Sequence, residues 1–141
     1  RHAFGKAPHF FMHGEYRFYL DDWGVLSHTV SVRGVLPLSG ERLLLSAELR
    51  GYFQHKADFY ERRYADLGEG APALRTRDRI LGGMDTLSAE LSLVGAVGGL
   101  PRDPDLRMFV STSILRFDWF DYELQSGRWA MILTLGASAP F

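Results

Sequence analysis

The stretch Glu15-Tyr16-Arg17-Phe18-Tyr19-Leu20-Asp21-Asp22-Trp23-Gly24-Val25-Leu26-Ser27-His28-Thr29 decides the fold class. Up to Asp21, the positions Phe10, Met12, Gly14, Tyr16, Phe18 and Leu20 fall on one parity, and Phe11, His13, Glu15, Arg17, Tyr19 and Asp21 on the other. A period of two makes a strand with one apolar and one polar face, because successive side chains point to opposite sides of the pleat. Beyond Gly24, Leu26, Val30, Val32, Gly34, Leu36 and Leu38 share a face opposite Ser27, Thr29, Ser31 and Arg33. Residues 9–21 and 25–38 are therefore expected to pair through a tight acidic and aromatic turn.

Outward from this hairpin the same alternation recurs over residues 42–57, 84–97, 106–122 and 128–141. Leu43, Leu45, Ala47, Leu49, Gly51 and Phe53 oppose Ser46, Glu48, Arg50, Tyr52 and Gln54. A two-residue turn at Ser39-Gly40, favoured by glycine, pairs positions whose numbers sum to 79. Leu36 then meets Leu43 and Val30 meets Leu49, which keeps the apolar faces together. The 106–122 strand is mixed, with Phe109, Leu115, Phe117 and Trp119 competing against Met108, Val110, Ile114 and Phe120 for the apolar face. Residues 58–83 read as a long charged loop. Pro101 and Pro104 mark a turn, since proline donates no ladder hydrogen bond.

Alternation alone fits a soluble sandwich as well as a membrane barrel. Three features favour the barrel. Short connections at 39–40 and 98–105 contrast with the long 58–83 loop, as periplasmic turns contrast with external loops. The aromatics gather at strand ends, with Tyr16, Phe18, Tyr19, Trp23, Tyr52, Phe53, Phe59, Tyr60, Phe117, Trp119, Phe120, Tyr122 and Trp129 at one end of the sheet and Phe10, Phe11, Phe109 and Phe141 at the other. Amphipathic rings favour the two interfaces of a bilayer. The final segment, with Gly136 and a terminal Phe141, resembles the insertion signal of bacterial outer-membrane proteins, although Pro140 departs from it.

Two motif blocks carry a further resemblance. Asp-Asp-Trp-Gly-x-x-Ser-His-Thr at 21–29 is similar to the signature of an uncharacterised family of bacterial outer-membrane β-barrel proteins. A second family block resembles Tyr52, Gln54, Ala57, Asp58, Phe59 and Tyr60, and a weaker third resembles Asp78-Arg79-Ile80 leading into Thr86. The resemblance implies an address, the bacterial outer membrane, and an architecture, but no activity.

The expected fold is all-β, an antiparallel transmembrane β-barrel to which residues 1–141 contribute about six strands as its C-terminal part. The smallest ordinary bacterial barrel needs about eight strands, so the remainder is expected from an N-terminal part or another chain. The chain has 141 residues, a formal net charge of −1 and no cysteine. The charge argues against nucleic acid as a partner, and the lack of thiols removes disulfides and thiolate metal sites. No apolar run of about eighteen residues offers a transmembrane helix.

The candidate residues fall into two groups. Glu15, Arg17, Arg33, Glu48 and Arg50 are expected to face a lumen. Registers summing to 46 and 79 line up Glu15, Ser31 and Glu48 beside Arg17, Thr29 and Arg50, which is either a charge-compensated filling or a selective polar passage. Asp21, Asp22, Trp23, Gly24, His28, Asp58, Phe59 and Tyr60 are expected at the external rim, where Trp23, Phe59 and Tyr60 pack and Asp22 or Asp58 bonds turn amides. Histidine and carboxylate there suit a divalent cation, but no ligand spacing nominates a metal, and no cofactor is expected. Ser27 and His28 are adjacent in a strand and point to opposite faces, so they make no nucleophile-base pair; His13 is a possible base with no nominated serine. The function most compatible with this is passive rather than enzymatic: a pore, or an outer-membrane scaffold for periplasmic or surface proteins. An enzyme on the same barrel and a soluble sandwich binding module are the alternatives.

Overall fold

The computed structural model describes residues 10–38, 42–61, 76–96, 106–122 and 124–138. Six antiparallel strands form one open sheet: β1 (Phe11–Leu20), β2 (Leu26–Leu38), β3 (Leu43–Gln54), β4 (Met84–Ala96), β5 (Arg107–Trp119) and β6 (Gly127–Ser138). Their spatial order equals their chain order, a meander in which every strand pairs with its neighbours in sequence. Among the described residues β1 and β6 each pair on one side only, which leaves them as open edges. The only helix among the described residues is a 3-10 turn at Arg79–Leu81.

The β1–β2 register follows the alternation, with Phe11 opposite Val35 and Leu20 opposite Leu26. The β2–β3 register differs from the expected one. Leu38 pairs Leu43, Leu36 pairs Leu45 and Val30 pairs Gly51, so four residues rather than two separate the last paired positions. A slip of two positions returns every side chain to its own face, so the hydrophobic pattern does not distinguish the two registers. The slip does rearrange the polar rows. Glu15, Ser31 and Arg50 now line up, and so do His13, Arg33 and Glu48. The acidic row beside a basic row is replaced by rows of mixed sign.

The ladders also settle the mixed strand. Met108, Val110, Thr112 and Ile114 share the apolar face with Leu87, Ala89, Leu91 and Leu93, whereas Phe109, Leu115, Phe117 and Trp119 lie on the polar face. The aromatics that gather at the Trp23 end are therefore divided between the faces. Phe18, Phe53 and Trp129 are on the apolar side, while Phe117 and Trp119 stack on the polar side with ring centroids 5.7 Å apart. At the opposite end Phe109 lies over Gly136 on the polar side, and a methyl added there would clash with the ring. Phe141 and the Ser39-Gly40 turn lie outside the described residues.

Through the middle of β4 and β5 burial runs opposite to the rule for a soluble sheet, while β1 is exposed on both faces. On the apolar face Leu49 is 62 % exposed, Leu91 51 %, Leu133 64 % and Leu135 71 %. On the polar face Glu48, Ser88, Glu90 and Ser92 are half-buried, and Ser27 and Thr29 are buried. The one apolar core among the described residues is small and lies off the sheet, at its Trp23 end, where Val25, Ala57 and Tyr60 are buried with Phe59 and Leu81 packed against them.

Candidate functional site

The Trp23 end is built from the turn outward. Asp21 sits at the first position of the β1–β2 turn, and its carboxylate oxygen Oδ1 accepts from the backbone N–H of Trp23 at 2.9 Å and of Val25 at 3.0 Å. The Gly24 N–H closes the turn on the Asp21 carbonyl at 3.2 Å. A short carboxylate that mimics a backbone turn is a common use of aspartate. The other Asp21 oxygen accepts from the Tyr19 hydroxyl at 3.1 Å. The residue that bonds the turn amides is thus Asp21, not Asp22 or Asp58.

Asp58 has a different role. Its N–H donates to the Trp23 carbonyl at 2.9 Å, and its carboxyl group lies where a side chain on Gly24 would stand. Gly24 also holds φ at +76°, a left-handed value that residues with a Cβ adopt at a cost of about 1–2 kcal/mol. Two independent constraints therefore require glycine there. Trp23 and Phe59 meet edge to face at 6.0 Å. Tyr60 is buried beneath them, and its hydroxyl donates to the Asp121 carbonyl at 3.2 Å, which ties the segment after β3 to the end of β5.

The third motif block joins the same cluster. Asp78 caps the 3-10 turn by accepting from the Ile80 N–H at 3.0 Å, and the Ala57 N–H donates to the Leu81 carbonyl at 2.9 Å. Gln54 donates to the carbonyls of Ile80 at 2.7 Å and Gly82 at 3.0 Å, and its own Oε1 accepts from the Tyr52 hydroxyl. The Arg79 guanidinium lies 5.2 Å from the centre of the Trp119 ring. Residues 21–24, 52–60 and 78–82, distant in sequence, form one cluster. The roles of Asp21, Gln54 and Arg79 were missed in the sequence. An aspartate three residues before a turn glycine is a signal that would have found the first, whereas the partners of the others are contacts across 26 or more positions.

The polar face carries the second group. Glu15, Arg17, Arg33, Glu48 and Arg50 share it, as the alternation requires. Arg33 and Glu48 form an ion pair at 2.6 Å, half in solvent, which is worth about 1 kcal/mol or less. Glu48 stands directly opposite Glu90 across the β3–β4 ladder, a like-charged pair. Each carboxylate has its own partner, Arg33 for Glu48 and the Ser113 hydroxyl at 3.1 Å for Glu90. Arg50 makes no ion pair or side-chain hydrogen bond among the described residues, and it borders a pocket of about 300 Å³ with Tyr52, Thr86, Ser88 and Leu115.

The remaining candidates stand apart. His28 is on the apolar face, opposite Phe18 as expected, and its Nδ1 lies 2.8 Å from the Tyr16 hydroxyl. Ser27 is buried on the other face, and His13 stands opposite Arg33. Among the described residues no group of three or more His, Asp or Glu is placed to hold a metal ion. The model of a family described as "Protein of unknown function (DUF3570)" matches residues 2–100. No curated protein and no solved structure matches the chain.

Proposed function

The chain belongs to the DUF3570 family, and from that premise we propose that it is part of a bacterial outer-membrane β-barrel whose polar face lines a water-filled passage for small solutes. The observation that carries the reading is the inverted exposure of the sheet. Leu49, Leu91, Leu133 and Leu135 lie uncovered on one face while serine and glutamate are half-buried on the other. In water such a face costs about 25 cal/mol for every Å² of apolar surface. Against acyl chains it costs nothing, and the lipid supplies the missing cover. The open edges fit the same reading. A bilayer tolerates no unpaired strand edge, so β1 and β6 would bond to strands beyond these residues or to another chain.

On this reading the residue 21–24, 52–60 and 78–82 cluster is an external rim lock, holding the connection between β3 and β4 at the mouth. The Arg116 fork onto Asp118, at 2.7 and 3.0 Å, and its contact with the Trp129 ring then lie at headgroup level, where charge and aromatic rings are both tolerated.

The test is site-directed spin labelling in lipid vesicles, which this chain suits because it contains no cysteine. A nitroxide on Leu91→Cys is expected to collide with oxygen dissolved in the acyl region. One on Ser92→Cys is expected to collide with a water-soluble nickel complex. Both labels reporting water would overturn the membrane reading. Conductance in planar bilayers then separates a pore from a scaffold that merely anchors periplasmic or surface proteins.

A further inference from the structure

We propose that Arg50, with the hydroxyls of Thr86 and Ser88, forms a binding subsite on the polar face for a small organic carboxylate with an apolar body. The inference rests on the passage reading and names the solute class that this face would select.

The argument begins with what is already satisfied. Of the three arginines at the centre of the polar face, Arg33 is committed to Glu48, whereas Arg17 and Arg50 have no partner among the described residues. Arg50 borders a concavity. The carboxylates nearest along its own and the next strand are engaged, Glu48 by Arg33 and Glu90 by Ser113. Glu15 stands on the other side of Ser31, away from the pocket. A guanidinium is a permanent cation whose planar N–H fork matches the two oxygens of a carboxylate.

The walls define the rest of the ligand. Ser88 lies directly opposite Arg50, and Thr86 directly opposite Tyr52, so two hydroxyls line the β4 side within one pleat of the guanidinium. Both lack a hydrogen-bond partner among the described residues and are free to donate. Tyr52 has spent its proton on Gln54, so it offers the pocket its aromatic ring rather than a donor. Leu115, opposite Ser88 on β5, closes the far side with an apolar surface. A cavity of about 300 Å³ lies at the small end of the range for ligand sites and admits a charged head on a compact apolar body. An inorganic anion would use the cation and the hydroxyls but leave Leu115 and the Tyr52 ring without a partner.

The experiment is calorimetric titration of the full-length protein in detergent micelles with benzoate, benzyl alcohol and inorganic phosphate. Benzoate is expected to bind, benzyl alcohol to bind at least tenfold more weakly, and phosphate to compete poorly. Arg50→Gln is expected to weaken benzoate at least tenfold. Arg50→Lys should weaken it several-fold, because an ammonium keeps the charge and loses the fork. Ser88→Val, which leaves the arginine in place, should also weaken it several-fold, while Arg107→Gln, at the far end of β5 from the pocket, stays within twofold of the parent. The proposal is overturned if benzoate fails to bind the parent protein at millimolar concentration. It is equally overturned if Arg50→Gln and Ser88→Val both bind as the parent does, or if phosphate displaces benzoate on equal terms. Because binding in micelles needs no conduction, loss of the subsite with the spin-label pattern intact overturns the subsite alone. A water-exposed Leu91 label with benzoate binding intact overturns the barrel alone.

Discussion

Leu91→Arg is the perturbation that tests the lipid-facing assignment most directly. Inside the row of Phe18, His28, Phe53 and Asp85, whose charge sets it apart at the Trp23 end, the apolar face runs in successive rows from Tyr16, Val30, Gly51 and Leu87 to Leu38, Leu43, Gly95 and Met108. The middle row holds Met12, Gly34, Ala47, Leu91, Thr112 and Leu133, which places Leu91 at the midplane of any bilayer that the sheet spans. Leu45, one row away, is two residues along the strand, or about 7 Å at the antiparallel rise. With strands tilted by about 40°, that becomes about 5 Å of depth in a half-band of about 12 Å. An arginine costs about 2–4 kcal/mol at the midplane and about 0–1 near the interface, so Leu91→Arg should cost about 2–4, Leu45→Arg about 1–3, and Ser92→Arg on the polar face under about 1 kcal/mol. The assay is equilibrium urea titration of folding into phospholipid vesicles, followed by tryptophan fluorescence. A Leu91→Arg cost no larger than that of Ser92→Arg would refute the assignment. So would abolition of folding at Leu91 and Leu45 alike, which is the behaviour of a dry protein core.

Asp21→Ala should destabilise the Trp23 end by about 1–3 kcal/mol, because it strands the amides of Trp23 and of buried Val25; faster proteolysis between residues 58 and 83 with the six-stranded sheet still assembled is the expected readout. Gly24→Ala should act more strongly in the same assay, since it adds left-handed strain to a clash with the Asp58 carboxyl group. Gln54→Leu removes the donor shared by Ile80 and Gly82 and should speed amide hydrogen exchange at Leu81 and Ala57, while exchange in β5 stays unchanged. A double-mutant cycle of Arg33→Gln and Glu48→Gln should give a coupling of about 1 kcal/mol or less that shrinks with added salt, since both side chains are partly in solvent.

What the sequence by itself determined is the face of nearly every strand residue, because a period of two is a local property that survives any context. Six alternating segments were legible, and the strands lie within a few residues of them. The convergence of residues 21–24 with 57–60 was legible too, since antiparallel strands put both at the same end of the sheet. Register was decided elsewhere. Val30 pairs Gly51 rather than Leu49, and the pattern could not tell the two apart because a slip of two positions leaves every face unchanged. Through that offset the tertiary structure also decided which charges meet, putting Arg33 on Glu48, while the separate β3–β4 register set Arg50 beside Ser88. It placed Phe117 and Trp119 on the polar face by pairing β5 with β4. It chose Asp21 over its neighbours as the acceptor for the turn, and it brought Gln54 to Ile80 and Gly82 across a span that no periodicity encodes. Such contacts depend on side-chain reach in three dimensions, whereas alternation records only which side of the sheet each residue faces.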